Sequence, residues 1–126
     1  MYSVSVRLAV GRVMDSGFLN GTVELLLLVV ISEAPGYGYA ITQSVRSRSG
    51  GKLDLKEGSL YPALHRLERE KLLESYWTLH DGRRRKNYRL TAAGRKALAA
   101  RRREWQAFTE GVRVVLGLES GIVRPV

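Results

Sequence analysis

The chain has no cysteine, and only two histidines and three prolines among its 126 residues. Without cysteine there is no disulfide framework, no thiolate nucleophile and no cysteine-based zinc site. With His65 and His80 alone, neither set beside a nucleophile or at metal-ligand spacing, an enzyme is not expected, nor a metal or cofactor. The longest apolar run, Leu25–Ile31, is seven residues, whereas a membrane-spanning helix needs about 20. No long apolar block precedes a small-residue cleavage site near the N-terminus, so no secretory leader is expected, and the composition fits a cytoplasmic protein. Acidic residues are absent from the whole of residues 83–103, which carry ten basic ones.

That last absence organises the molecule's charge. The chain is net +9, with 21 Lys plus Arg against 12 Asp plus Glu, and without residues 83–103 the remainder is net −1. The basicity is therefore a local patch on a balanced molecule, which points to a polyanionic partner rather than to general solubility. A hydrophobic content of 44% with 26% charged residues is that of a single globular domain with an appendage.

Spacing gives the order of elements. Val23, Leu26, Leu27, Val30 and Ile31 recur at helical spacing over residues 22–34, until Pro35-Gly36 interrupts. A second helix is predicted over residues 37–47 and a short strand over 52–55. A third helix is predicted over 58–72, with Leu60, Ala63, Leu64 and Leu67 as its apolar stripe. Tyr61, His65 and Arg69 make a second stripe on that helix, with Ser59 and Arg66 nearby. Asp81-Gly82 is a strong two-residue turn signal. Folding there pairs Leu73 with Leu90, Ser75 with Tyr88 and Trp77 with Lys86 on one face, and Glu74 with Arg89 and Thr78 with Arg85 on the other. From Thr91, a good N-cap, a long helix is predicted to about residue 118. Its stripe of Leu98, Arg101, Trp105, Phe108, Val112 and Val115 is too long for a small domain to cover, and a second copy is the simplest cover. Residues 102 and 103 with Arg101 are read as the solvated side of that helix.

The expected fold is mainly α with a small β-hairpin wing: a winged helix-turn-helix followed by a long C-terminal dimerisation helix. Residues 1–17 form an N-terminal extension, 18–90 the winged domain, and 91–126 the dimerisation helix and tail. In such a domain the third helix enters the major groove of double-stranded DNA while the wing grips phosphates. Ser59, Tyr61, His65, Arg66 and Arg69 are the expected reading residues. Arg83, Arg84, Arg85, Lys86 and Arg89 are the expected wing contacts. Leu98, Trp105, Phe108, Val112 and Val115 are the expected dimer interface. Electrostatics alone do not separate DNA from RNA or from an acidic protein partner, so a winged-helix module for either remains an alternative.

Residues 57–68, EGSLYPALHRLE, followed by Leu72-Leu73-Glu74-Ser75 and Trp77, resemble the signature of the PadR family of transcriptional regulators. Tyr37-Gly38-Tyr39-Ala40-Ile41 resembles the family's GYxI segment. GRRRK at 82–86, with Tyr88-Arg89-Leu90-Thr91-Ala92-Ala93-Gly94-Arg95, resembles its wing and the start of its dimerisation helix. The resemblance spans residues 21–108. It implies a homodimeric repressor of the short class, with one C-terminal helix, acting at a palindromic operator. In some proteins similar to this family, aromatics between the long helices line a drug-binding pore, so the resemblance also suggests a small hydrophobic inducer at the dimer interface. Two positions depart from the pattern: Lys71 stands where the family usually has glycine after the third helix, and Asn87 replaces the first of a common aromatic pair.

Overall fold

The computed structural model describes residues 6–7 and 16–118. In chain order the elements are β1 (Val6–Arg7), α1 (Ser16–Glu33), β2 (Gly36–Tyr37), α2 (Gly38–Arg48), β3 (Asp54–Leu55), α3 (Glu57–Arg69), β4 (Leu73–His80), β5 (Arg83–Leu90) and α4 (Ala92–Leu116). The architecture is a winged helix with a long trailing helix. No helix among the described residues is long and apolar enough to cross a membrane.

The apolar run of α1 makes that helix the hub. Val23, Leu27, Leu28 and Ile31 are fully enclosed, because α1 packs against α2, α3, α4 and β5 at once. The core closes with Ile41 and Val45 of α2, Leu60, Ala63, Leu64 and Leu67 of α3, and Leu73, Tyr88 and Leu90 of the hairpin. Each large aliphatic side chain buried in this way stabilises the fold by about 1.5–3 kcal/mol.

The hairpin has the register counted out from its turn: Leu73 opposes Leu90, Ser75 opposes Tyr88, Trp77 opposes Lys86 and Thr78 opposes Arg85. Asp81 and Gly82 both have positive φ, 51° and 75°, as the two central residues of a tight hairpin turn require. The sheet has a third strand that the periodicity did not predict. Gly36–Tyr37 pairs antiparallel with β5, so the second helix begins at Gly38 rather than at Tyr37. The predicted strand at 52–55 is Asp54–Leu55, paired with Val6–Arg7. The rest of the N-terminal extension lies outside the described residues, except that α1 starts at Ser16, earlier than the periodicity indicated.

The third helix starts at Glu57 and ends at Arg69, three residues short of the predicted end. The stop is Lys71, whose φ of 63° places it in the left-handed region. Its N–H donates to the Glu68 carbonyl (3.0 Å), and the Leu72 N–H reaches back to Leu67 (2.9 Å), the paired bonds of a left-handed helix cap. Lysine thus occupies the backbone conformation for which glycine is suited, and the helix ends where a glycine would have ended it. Against this turn α4 is seated. The Thr91 hydroxyl donates to the Lys71 carbonyl (2.7 Å) and accepts from the Gly94 N–H (3.0 Å), while the Thr91 N–H donates to Leu72 (3.1 Å). A Cβ on Gly94 would overlap the Leu72 carbonyl oxygen.

Lys71→Gly should therefore raise stability by roughly 0.5–1 kcal/mol, and Gly94→Ala should lower it by about 1–3 kcal/mol or more. Thermal or urea unfolding of the two variants checks this; equal effects of one sign would contradict it.

Candidate nucleic-acid interface

Helix α3 has three kinds of face. Leu60, Ala63, Leu64 and Leu67 point inward, while Tyr61, His65 and Arg69, four residues apart, are exposed on one row. Ser59 does not join that row. It is fully buried, because it lies four and eight residues before Ala63 and Leu67 and shares their inward direction. Ser59 is thus a core residue and is corrected from a reading residue. Arg66 also turns elsewhere: its Nε lies 3.4 Å from Glu24 of α1, so its charge is spent inside the protein. The exposed row of α3 is Tyr61, His65 and Arg69.

Tyr61 and His65 meet the wing across a pocket of about 310 Å³ that Gly38, Arg85, Lys86 and Tyr88 also border. Tyr61 packs its hydroxyl over the start of α2, where a Cβ on Gly38 would stand 2.6 Å from the phenolic oxygen. Behind the pocket, the Ser75 hydroxyl donates to Glu68 (2.6 Å) and the Lys86 ammonium lies 3.4 Å from the same carboxylate. The Ser75 hydrogen bond is the main reason that Glu68 titrates below its ordinary value; Lys86 and His65 act in the same sense, and partial burial opposes them. Burial pushes the Tyr88 phenol above its ordinary value.

On the wing the cations divide into two sets. Lys86 is paired with Glu68, and Arg89 with Glu74 (2.7 Å) while lying over the Tyr76 ring. Arg83, Arg84 and Arg85 form no ion pair among the described residues. Two of these are braced by aromatic rings: Arg84 over Trp77 (4.4 Å) and Arg85 over Tyr37 (4.1 Å). Tyr37 in turn stacks on Tyr39, which is 62% exposed. Asn87, the departure from the aromatic pair, is buried and donates to Thr78 Oγ1 (2.8 Å) and the Arg85 carbonyl (3.2 Å). Sequence reasoning missed Tyr37 and Tyr39 as parts of this surface, since Tyr37 lies in a two-residue strand that leaves no periodicity and Tyr39 is linked to the wing only by stacking on Tyr37.

The long helix leaves the domain about a third of the way along. Leu98 belongs to the protomer's own core, at 8% exposure, and is corrected from the interface set: it is the last residue of α4 turned fully onto the domain. Arg101 is half-buried rather than solvated, held by Glu24 and Glu70. From residue 102 nearly every side chain is exposed, including Trp105, Phe108, Val112, Val115 and Leu116. Trp105 and Phe108 touch, with ring centroids 6.0 Å apart, and border a groove of about 650 Å³ against Gly21, Thr22 and Leu25 of α1. A second, almost wholly apolar groove follows along Phe108, Val112 and Val115.

Residues 27–100, more than half of the chain, match the transcriptional regulator PadR-like family. The chain is 42% identical over 103 residues to the transcriptional regulator Rv3488 of Mycobacterium tuberculosis, covering 82% of this chain and 91% of that one. Among solved structures, a transcriptional regulator from Clostridium thermocellum superposes with a TM-score of 0.72 at 30% identity, covering 78% of this chain and 96% of that one. A PadR family transcription regulator from Clostridium difficile R20291 superposes with a TM-score of 0.66 at 33% identity, covering 75% and 97%.

Because the Glu68 carboxyl is held below its ordinary value of 4.5, its bond to Ser75 contributes stability above that pH and loses it as pH falls through the lowered value. The stability difference between the parent and Ser75→Ala should be full at neutral pH and shrink in acid. Unfolding curves across that range check it, and a difference that grows in acid would contradict it.

Proposed function

This chain belongs to the PadR-like family of transcriptional regulators, and on that premise we propose that it binds double-stranded DNA as a homodimer and represses transcription at a palindromic operator. The observation that carries this reading is the meeting of two surfaces at one pocket. Tyr61 and His65 of the reading helix border it on one side, and Arg85 of the wing on the other. A duplex laid across that junction brings the exposed row of α3 to base edges, and the unpaired wing arginines to phosphates. Lys86 and Arg89, each already facing a carboxylate, contribute less to phosphate neutralisation than Arg83, Arg84 and Arg85.

The exposed half of α4 supports the dimer. Residues 102–116 run for about 22 Å at 1.5 Å per residue, with an apolar stripe from Trp105 to Val115 left in solvent. A stripe of that length marks a protein interface, and an identical helix across a twofold axis supplies its own complement. We assign it to a second copy rather than to an inducer, because a small molecule covers only part of it. Truncation is unnecessary to test this. Trp105→Glu with Phe108→Glu should yield monomers by light scattering and abolish tight binding; a surviving dimer would place the interface elsewhere.

Selection of binding sites from random duplex DNA, with duplex RNA and an acidic protein as competitors, tests the DNA reading itself. Recovery of a dyad-symmetric DNA site is the expected result; preference for RNA or the acidic protein would replace this reading. With that site in hand, the two surfaces should separate. Changing Arg83, Arg84 and Arg85 to Ala should weaken selected and random DNA together and flatten the salt dependence by up to about 0.9 per lost phosphate contact. Tyr61→Phe and His65→Ala should instead cost about 1–3 kcal/mol on the selected site, with random-DNA affinity nearly unchanged. Parallel losses from both sets would reduce α3 to a backbone contact.

A further inference from the structure

Two cations from different elements converge on one carboxylate in α1. Glu24 is only 12% exposed at its side chain. Arg66 of the reading helix brings Nε to 3.4 Å from Glu24 Oε2, and Arg101 of the long helix brings Nη1 to 3.6 Å from Oε1. The other terminal nitrogen of Arg101 lies 3.5 Å from Glu70, the residue that caps α3. Arg101 thus bridges α1 to the end of the reading helix, and the reading helix is tied to the same anchor a second time through Arg66. The inner Nη2 of Arg66 is out of reach of solvent and has no hydrogen-bond partner among the described residues. A guanidinium so placed depends on Glu24 for its charge balance, and removing either partner of such a pair is felt strongly. Trp105, one turn beyond Arg101, borders the groove that Glu24 and Glu70 also border, beside the exposed stripe of α4.

We propose that Glu24 is a positioning residue that couples the dimerisation helix to the reading helix. Through Arg101 on one side and Arg66 on the other, the way α4 packs on its partner sets the attitude of α3 on DNA. None of the three lies on the exposed row of Tyr61, His65 and Arg69, so the coupling acts on orientation and not by contact with bases. The inference rests on the proposal that α3 reads DNA and α4 makes the dimer. Coupling of this kind is reciprocal: a duplex that fixes α3 must also be felt at α4.

The test uses the full chain with Glu24→Gln, which keeps the shape and removes the charge, and with Arg101→Gln, which alters only a half-exposed side chain. The unaltered protein first has to prefer its selected site over random duplex; failure at that step sinks the DNA reading, not the coupling. Given that preference, both variants should remain dimeric and lose about tenfold in affinity for the selected site, with random-DNA affinity changed less than about twofold. The double variant should be no worse than either single one, because one network has been broken once. In a Trp77→Phe background, the selected duplex should shift the emission of Trp105, and Glu24→Gln should abolish that shift. Retained affinity together with a retained Trp105 response overturns the proposal. So do fully additive losses, and so does loss of the dimer in Arg101→Gln, which would make the effect one of assembly. If Glu24→Gln fails to fold, Arg101→Gln decides alone, by affinity and by the Trp105 response.

Discussion

Three elements, α3, the wing and α4, meet at two peptide carbonyls. The Lys71 and Leu72 carbonyls accept from the hydroxyl and the N–H of Thr91, and Gly94 lies against Leu72 with no room for a Cβ. At this point α3 stops, the first wing strand starts at Leu73, and the long helix leaves from Thr91. A displacement here would move all three relative to one another. The left-handed backbone at Lys71 is therefore a cost that the surrounding bonds sustain. Glycine would adopt the same φ without strain.

Charge is distributed on the same logic. The stretch from Arg83 to Arg103 is uniformly basic in sequence but not in space. Three of its members, Lys86, Arg89 and Arg101, meet Glu68, Glu74 and Glu24. They hold the wing to α3, strand to strand, and α4 to α1. Arg83, Arg84 and Arg85 meet no carboxylate among the described residues, and Trp77 and Tyr37 brace Arg84 and Arg85. An aromatic face restricts a long side chain without neutralising it, so the cation stays available to a polyanion and less rotamer freedom is lost on binding. The run thus divides by partner: the cations that meet carboxylates hold the fold together, and Arg83, Arg84 and Arg85 keep their charge unspent among the described residues.

Most of this was legible in the sequence where a rule is local. The apolar spacing of Leu60, Ala63, Leu64 and Leu67 gave the buried face of α3, and counting outward from Asp81-Gly82 gave the hairpin register residue by residue. Thr91 was recognisable as an N-cap. What was not legible depends on distant neighbours. Ser59 looks polar by type, yet its row is that of Ala63 and Leu67. Arg66 looks like a DNA contact until Glu24, 42 residues earlier, is found beside it. Leu98 continues the exposed stripe of α4 in spacing, but α4 is still lying on the domain at that point. The strand at Gly36–Tyr37 exists because β5 offers it an edge, which no feature of those two residues announces.

In the proposed assembly two copies of one surface, α3 beside the wing, are held at a fixed separation by paired long helices and meet DNA together. Hydroxyl-radical footprinting of the full chain on its selected site measures that geometry most directly. Two protected half-sites related by a dyad are expected, with centres about 10–10.5 base pairs or a whole multiple apart on one face of the duplex. A single protected half-site, or uniform protection with no dyad, would contradict it.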